Sequence, residues 1–288
     1  QINQLNQLNF EELNGLLPQN LLEDFQQGFL AGMNNMGHDL VHDENGNIIP
    51  GPNYAVGGGN HQDVINAMHQ GLANLDVMGE GAHYGFDEGS GQSTYDSILN
   101  NQAEVVAGVF VDGQVGQALE FDGQDSVVKT STSSFGQAKP WTVSAWINPA
   151  SLAAEPKTIF TASADGSNES IGLAVFKGNI LLLKTGEKGD PRINNFSGMR
   201  IPENVWSHIM ISYDGLGNIF VNIDGQGKSK STFSLVTKVA LDDLSIGNRM
   251  ENPQLDWAGF DGAIDEFTVF EQLLLKDEMT QYYQSITG

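Results

Sequence analysis

A mainly β protein, a sandwich of short strands behind an N-terminal α-helical segment, is predicted by three features of this 288-residue sequence. Residues 1–82 are rich in Asn, Gln and Leu and place apolar residues at helical spacing. From about His83 onward the period falls to two, and short alternating runs are separated by Gly, Asn and Asp turns. Neither a tandem repeat nor a Pro-rich linker divides the two parts, so they are expected to pack together as a segment over 1–82 and a sandwich over 83–288.

In the first part, Asn20 can cap a helix whose first turn is acidic, and Leu21, Leu22, Phe25, Phe29 and Met33 share its apolar face, with Gly37 as a stop. A second helix fits residues 60–74, with Asn60 as its cap and Val64, Ile65, Met68 and Leu72 on one side. Between the two, Asp43-Glu44-Asn45-Gly46-Asn47-Ile48-Ile49 reads as a tight hairpin or turn. In the second part, strands are expected over 117–122, 126–130, 142–148, 158–162, 171–176, 180–185, 207–213, 219–224, 244–246 and 263–270. The stretch 276–285 reads as a closing helix.

The charge pattern removes several functions. The chain carries 13 basic and 36 acidic residues, a formal net charge of −23. Its first basic residue is Lys129, so 18 of the acidic residues precede any cation. Nucleic acid and anionic membrane surfaces are bound through clustered Lys and Arg, which this chain lacks. Membrane insertion is excluded as well, since no apolar run reaches 18 residues. The absence of Cys removes disulfides, thiolate nucleophiles and Cys-ligated metals. The start at Gln1 is read as a processing site left by signal-peptide removal, or as the edge of a trimmed domain.

Several segments of the second part occur in an order shared with a known family. They are Tyr84-Gly85-Phe86-Asp87-Glu88-Gly89-Ser90-Gly91, Gly116-Gln117-Ala118-Leu119-Glu120-Phe121-Asp122-Gly123, Trp141-Thr142-Val143-Ser144-Ala145-Trp146-Ile147, Val205-Trp206-Ser207-His208-Ile209, Tyr213-Asp214-Gly215 with Val221-Asn222-Ile223-Asp224-Gly225, and Gly262-Ala263-Ile264-Asp265-Glu266-Phe267. Over roughly residues 83–288 the chain thus resembles the laminin-G-like modules of the concanavalin A-like lectin/glucanase superfamily. The resemblance implies an antiparallel jelly roll of two packed sheets. It leaves function open, because this superfamily holds lectins, adhesion modules, spacers and glycan-cleaving enzymes. The first 82 residues resemble no such family.

The resemblance also implies one Ca²⁺ site. It maps onto the Asp122-Gly123 turn and Asp265, with Asp87 and Glu88 as further ligands, since calcium takes six to eight oxygens from carboxylates and turn carbonyls. The competing reading is that Asp-Gly is a good turn dipeptide. A catalytic reading of Glu120-Phe121-Asp122-Gly123-Gln124-Asp125 is weaker. Laminarinase-type relatives use a Glu-x-Asp-x-x-Glu strand, and here the last position is Asp125, one methylene short and in a turn. No catalytic residue is therefore assigned.

His38 and His42 stand four apart, the spacing of two zinc ligands on a helix, but no third ligand accompanies them, and surface or interface histidines are the preferred reading. Trp141, Trp146 and Trp206 are expected in the core, whereas Trp257 is nominated as an exposed platform for a sugar ring, with a lid on the core as its alternative. Asn168-Glu169-Ser170 and Asn195-Phe196-Ser197 fit the glycosylation sequon.

Three functions follow. The favoured one is a secreted, non-catalytic structural or adhesion protein, its sandwich a calcium-binding building block and its N-terminal helix the element of homo-assembly, through Leu21, Leu22, Phe25, Phe29 and Met33. The partner is then a second copy of the chain, held in part by attraction between the acidic front and the region bearing every basic residue. The alternative is a lectin module that binds polysaccharide, and the third reading is a glycan-active hydrolase or lyase. All three place the protein outside the cell or on its surface.

Overall fold

The computed structural model describes residues 40–42, 48–50 and 81–287, except 99, 153–154, 187–190, 197, 199 and 250–256. The expected helices at 20–37 and 60–74, and with them Leu21, Leu22, Phe25, Phe29 and Met33, lie outside the described residues. Two short strands are described in the N-terminal part. β1 (Leu40–His42) pairs antiparallel with β2 (Ile48–Pro50), His42 opposite Ile48. His42 is thus in extended backbone, and the helical spacing that made it a zinc-ligand candidate does not apply to it.

The second part builds two antiparallel sheets. One runs in the order β13 (Pro191–Phe196), β12 (Asn179–Thr185), β11 (Ser170–Phe176), β10 (Lys157–Ser163), β17 (Ala240–Ile246), β8 (Val127–Gly136), β5 (Gln102–Val106) and β4 (Ser93–Tyr95), with β18 (Ala258–Gly259) added in parallel to β10. The other runs β16 (Gln226–Thr232), β15 (Asn218–Ile223), β14 (Ser207–Tyr213), β9 (Trp141–Pro149), β19 (Asp261–Phe270), β7 (Gln117–Asp122) and β6 (Val109–Asp112), with β3 (Ala82–Tyr84) also on β19. The chain changes sheet between β7, β8, β9 and β10, the crossing pattern of a jelly roll. The strand at β3 begins at Ala82, so the expected boundary after residue 82 falls inside the sandwich.

The period-two pattern puts apolar residues on the two inner faces, where they are removed from water. Phe135 and Phe160 from the nine-stranded sheet meet Trp141 and Phe267 from the eight-stranded one, where Tyr213 packs on Trp141. The Phe135–Trp141 rings are 5.2 Å apart edge-on, and Phe160–Phe267 are 5.9 Å apart. Truncating such a ring to Ala costs about 3–5 kcal/mol, so this cluster clamps the sheets together.

A helix closes the chain. α1 (Lys276–Thr287) begins where the Leu275 amide donates to Glu278 Oε2 at 2.6 Å, one arm of a capping box, with Asp277 and Glu278 placed favourably in the first turn. It covers the outer face of the eight-stranded sheet through Met279, Tyr282 and Tyr283. Trp146 is buried there against Tyr283 and His208, and not between the sheets as expected, while Trp141 is in the core and Trp206 is half-buried. Beneath α1, His208 Nε2 contacts Ser144 Oγ at 2.8 Å, and burial pushes its imidazole down to about 3.

Candidate functional site

Strands β4, β5, β8 and β17 alternate, so every second residue leaves the core and points from the outer face of the nine-stranded sheet. Register lines these residues up in rows: Ser93, Glu104 and Lys129 in one, Asp243 and Ser131 in the next, Tyr95 and Gln102 beside them. They surround a shallow groove of about 410 Å³, lined by Gln92, Ser93, Gln102, Glu104, Lys129, Ser131 and Asp243 among others. Lys129 and Glu104 oppose each other across β5 and β8 with no ion pair between them among the described residues. Tyr95 stands at the margin on the edge strand, 46% exposed.

The margin is held firmly. Glu88 Oε1 accepts both the Thr94 hydroxyl at 2.8 Å and the Tyr95 amide at 2.9 Å. Gln102 Nε2 donates to Ser93 Oγ at 2.6 Å. Burial raises the Asp243 carboxyl, and the charges of Asp165 and Asp242 raise it further. Sequence reading did not single out this groove, because its members come from four strands up to 150 positions apart.

The residues expected to bind calcium divide into three places. Asp265 is fully buried on β19. Its Oδ2 accepts the Val115 amide at 2.9 Å, and its Oδ1 has no partner. Burial pushes its carboxyl up to about 7 against the Val115 hydrogen bond, with Glu266 adding to the rise. Asp87 reaches the same turn from the other side, accepting the Gln117 amide at 2.8 Å. Gly116, at φ 60°, is required there, since a Cβ would stand 2.3 Å from Asp87 Oδ1. Glu88 instead anchors β4, as described above.

Asp122 is elsewhere. Its Oδ1 accepts the amides of Gln124, Asp125 and Ser126 at 2.8–3.0 Å. Burial alone would raise this carboxyl, but these bonds and the Ser126 hydroxyl hold it below its ordinary value. In register Asp122 and Gly123 flank Asp261, whereas Asp265 is four residues farther, about 13 Å along the strand. The Asp122-Gly123 turn therefore does not share a site with Asp265. The turn at the other end of β7, residues 113–117, does that. This corner has the oxygen chemistry of a hard cation: an unpartnered Asp265 Oδ1, Asp87 and turn carbonyls. A Cβ on Gly85 would lie 3.3 Å from Glu266 Oε1 and 3.6 Å from Asp87 Oδ2. Yet no three His, Asp or Glu side chains among the described residues converge as a metal would require.

Residues 122–280 match the laminin-G-type profile of the concanavalin A-like lectin/glucanases superfamily, more than half of the chain. The chain belongs to this superfamily. Among solved structures, domain 4 of the extracellular arabinanase AbnA from Geobacillus stearothermophilus, in complex with arabinotriose, superposes with a TM-score of 0.56 at 23% identity, covering 70% of this chain and 97% of that one. The binding domain of Paraclostridial Mosquitocidal Protein 1 gives 0.56 at 16% identity over 71% of this chain and 52% of that one. The botulinum neurotoxin serotype G binding domain gives 0.54 at 15% over 72% and 51%. The chain thus spans about half the length of the two toxin binding domains, and at these identities the likeness is one of fold. No curated protein matches.

Within this superfamily fold, Trp257 is not an exposed platform. It is 6% exposed and lies on Gly172, whose Cβ would sit 3.2 Å from its ring, in a small cluster with Ala174, Leu181 and Leu183. The sandwich's outer face is therefore sealed by Trp257 over β11 and β12 and open and polar over β4, β5, β8 and β17. In the glucanase-like segment, Glu120 is exposed on β7 opposite Val109, and Asp122 is spent on its own turn. Both sequon asparagines are exposed, Asn168 in the loop between β10 and β11 and Asn195 on the edge strand β13.

Proposed function

We propose that this protein is a secreted, non-catalytic binding module of the lectin and adhesion kind, which engages polysaccharide in the groove over β4, β5, β8 and β17. The single observation that carries this is the groove's composition. A half-exposed tyrosine ring borders amides, hydroxyls and unpaired charges, which is the equipment for stacking on a sugar ring and hydrogen-bonding its hydroxyls. That domain 4 of the arabinanase was solved with arabinotriose supports the same reading. Electrophoresis through gels containing soluble polysaccharides tests the proposal. The intact chain is retarded by at least one of them, and no retardation by any would sink it.

The adhesion reading adds self-assembly through the acidic N-terminal part, favoured by the 10 acidic residues and the absence of Lys and Arg over residues 1–82. It also adds one calcium ion at Asp265 and Asp87, which would tie the 113–117 turn to β19 and leave the groove untouched.

A further inference from the structure

We propose that the groove selects neutral, hydroxyl-rich glycan chains and rejects acidic ones. This rests on the reading of the groove as a carbohydrate site, and the charges around it carry the selection. Two carboxylates, Glu104 and Asp243, face it against one cation, Lys129. Asp165 and Asp242 stand close enough to Asp243 to raise its carboxyl, so the field along β17 is negative. A uronate or sulfate would gain one contact with Lys129 and meet repulsion from at least two carboxylates, and the chain's net charge of −23 opposes its approach.

A neutral sugar meets the opposite balance. Its hydroxyls donate to Glu104 and Asp243 and accept from Lys129 and the Gln92 and Gln102 amides. Hydrogen bonds to charged partners are about twice as strong as neutral ones. Because Lys129 and Glu104 form no ion pair with each other among the described residues, a hydroxyl can engage each without separating that pair. Tyr95 supplies the face for the ring's C–H side, and the bonds from Glu88 to Thr94 and Tyr95 order its strand beforehand. Among the described residues β4 is the edge of the sheet, and no further strand walls the groove on that side, so a glycan can run out over it.

The test is affinity electrophoresis of the intact chain with linear arabinan, xylan and mixed-linkage β-glucan against polygalacturonate and alginate, at low and at 0.3 M salt. The expected result is retardation by at least one neutral polymer and by neither acidic one. Tyr95→Ala should weaken it at least tenfold, Glu104→Gln with Asp243→Asn should weaken it similarly, and melting temperatures should stay within a few degrees. Retardation by the acidic polymers in place of the neutral ones overturns the selectivity while leaving the groove a glycan site. Neutral binding that survives all three substitutions overturns the groove as the site. Retardation by no polymer overturns the carbohydrate reading itself.

Discussion

Glu88 accepts the backbone amide of Tyr95 at 2.9 Å and the hydroxyl of Thr94 with the same oxygen. An acidic residue nominated as a metal ligand is therefore the anchor of the edge strand that presents Tyr95. Glu88→Ala should lower glycan retardation severalfold and stability by about 1–3 kcal/mol, because two donors lose their partner. Glu88→Gln, which keeps a carbonyl oxygen there, should restore most of both. Equal loss in the two variants, measured by denaturant titration and affinity gels, would remove the anchoring role.

Tyr95 and Trp257 should part company. Trp257→Ala uncovers Ala174, Leu181 and Leu183 and should cost about 3 kcal/mol of stability, yet leave polysaccharide binding in place at temperatures where the variant is folded. Tyr95→Ala should do the reverse. Loss of binding in folded Trp257→Ala would return the platform role to that residue.

Calcium should act through Asp265. If the ion binds there, millimolar calcium raises the melting temperature of the intact chain and chelator lowers it. Asp265→Asn abolishes the difference, Asp87→Asn diminishes it, and Asp122→Asn leaves it unchanged. In the absence of calcium, Asp265→Asn should match or exceed the parent in stability near neutral pH, since it removes a buried carboxyl with an unpartnered oxygen. A chelator-insensitive melting curve would exclude the ion.

Acid should act through His208. Its imidazole is pressed between Trp146, Tyr282 and Tyr283, touches Ser144, and is held at about 3 by burial, below the ordinary 6.5. The unfolded chain therefore takes up a proton before the folded one does. Stability from this group is complete above about pH 6.5 and falls as pH drops toward 3, by on the order of 4 kcal/mol. Asp224, which accepts the His208 amide, lies outside the ring contacts. His208→Gln should flatten the decline of the melting temperature between pH 6.5 and 4. An unchanged slope would assign that decline to other groups.

A chain beginning at Glu80 should fold and melt cooperatively by itself, because residues Glu80–Thr287 form a compact unit. The adhesion reading further expects that this chain stays monomeric while the intact protein self-associates, less so in high salt. Sedimentation of both at matched concentration decides it.

Much of the sandwich was legible from the residues. Each expected strand from 117–122 to 263–270 has its counterpart, because inner-face residues such as Ile171, Leu173 and Val175 announce burial by alternating with smaller or polar neighbours. Strands β13, Pro-Arg-Ile-Asn-Asn-Phe, and β16, Gln-Gly-Lys-Ser-Lys-Ser-Thr, were not, because edge strands hold together by pairing on one side and need no apolar rhythm. The calcium expectation put Asp122 and Asp265 in one site, whereas register sets them apart and Asp265 meets the turn at the other end of β7. An Asp-Gly turn looks the same whether it holds a metal or its own amides.

Composition, charge and local period suffice to determine a cysteine-free, acidic β-sandwich, since those properties depend on residue type and near neighbours. Register is a different matter. Which of four strands lie side by side, whether Trp257 faces water or Gly172, and whether Asp265 meets Asp87 or Asp122 follow from pairings and contacts that local sequence does not show, several of them between residues more than 80 positions apart. Tyr95, Glu104, Lys129 and Asp243 are unremarkable where they stand in the chain. They became a groove only when the outer faces of β4, β5, β8 and β17 were brought into line.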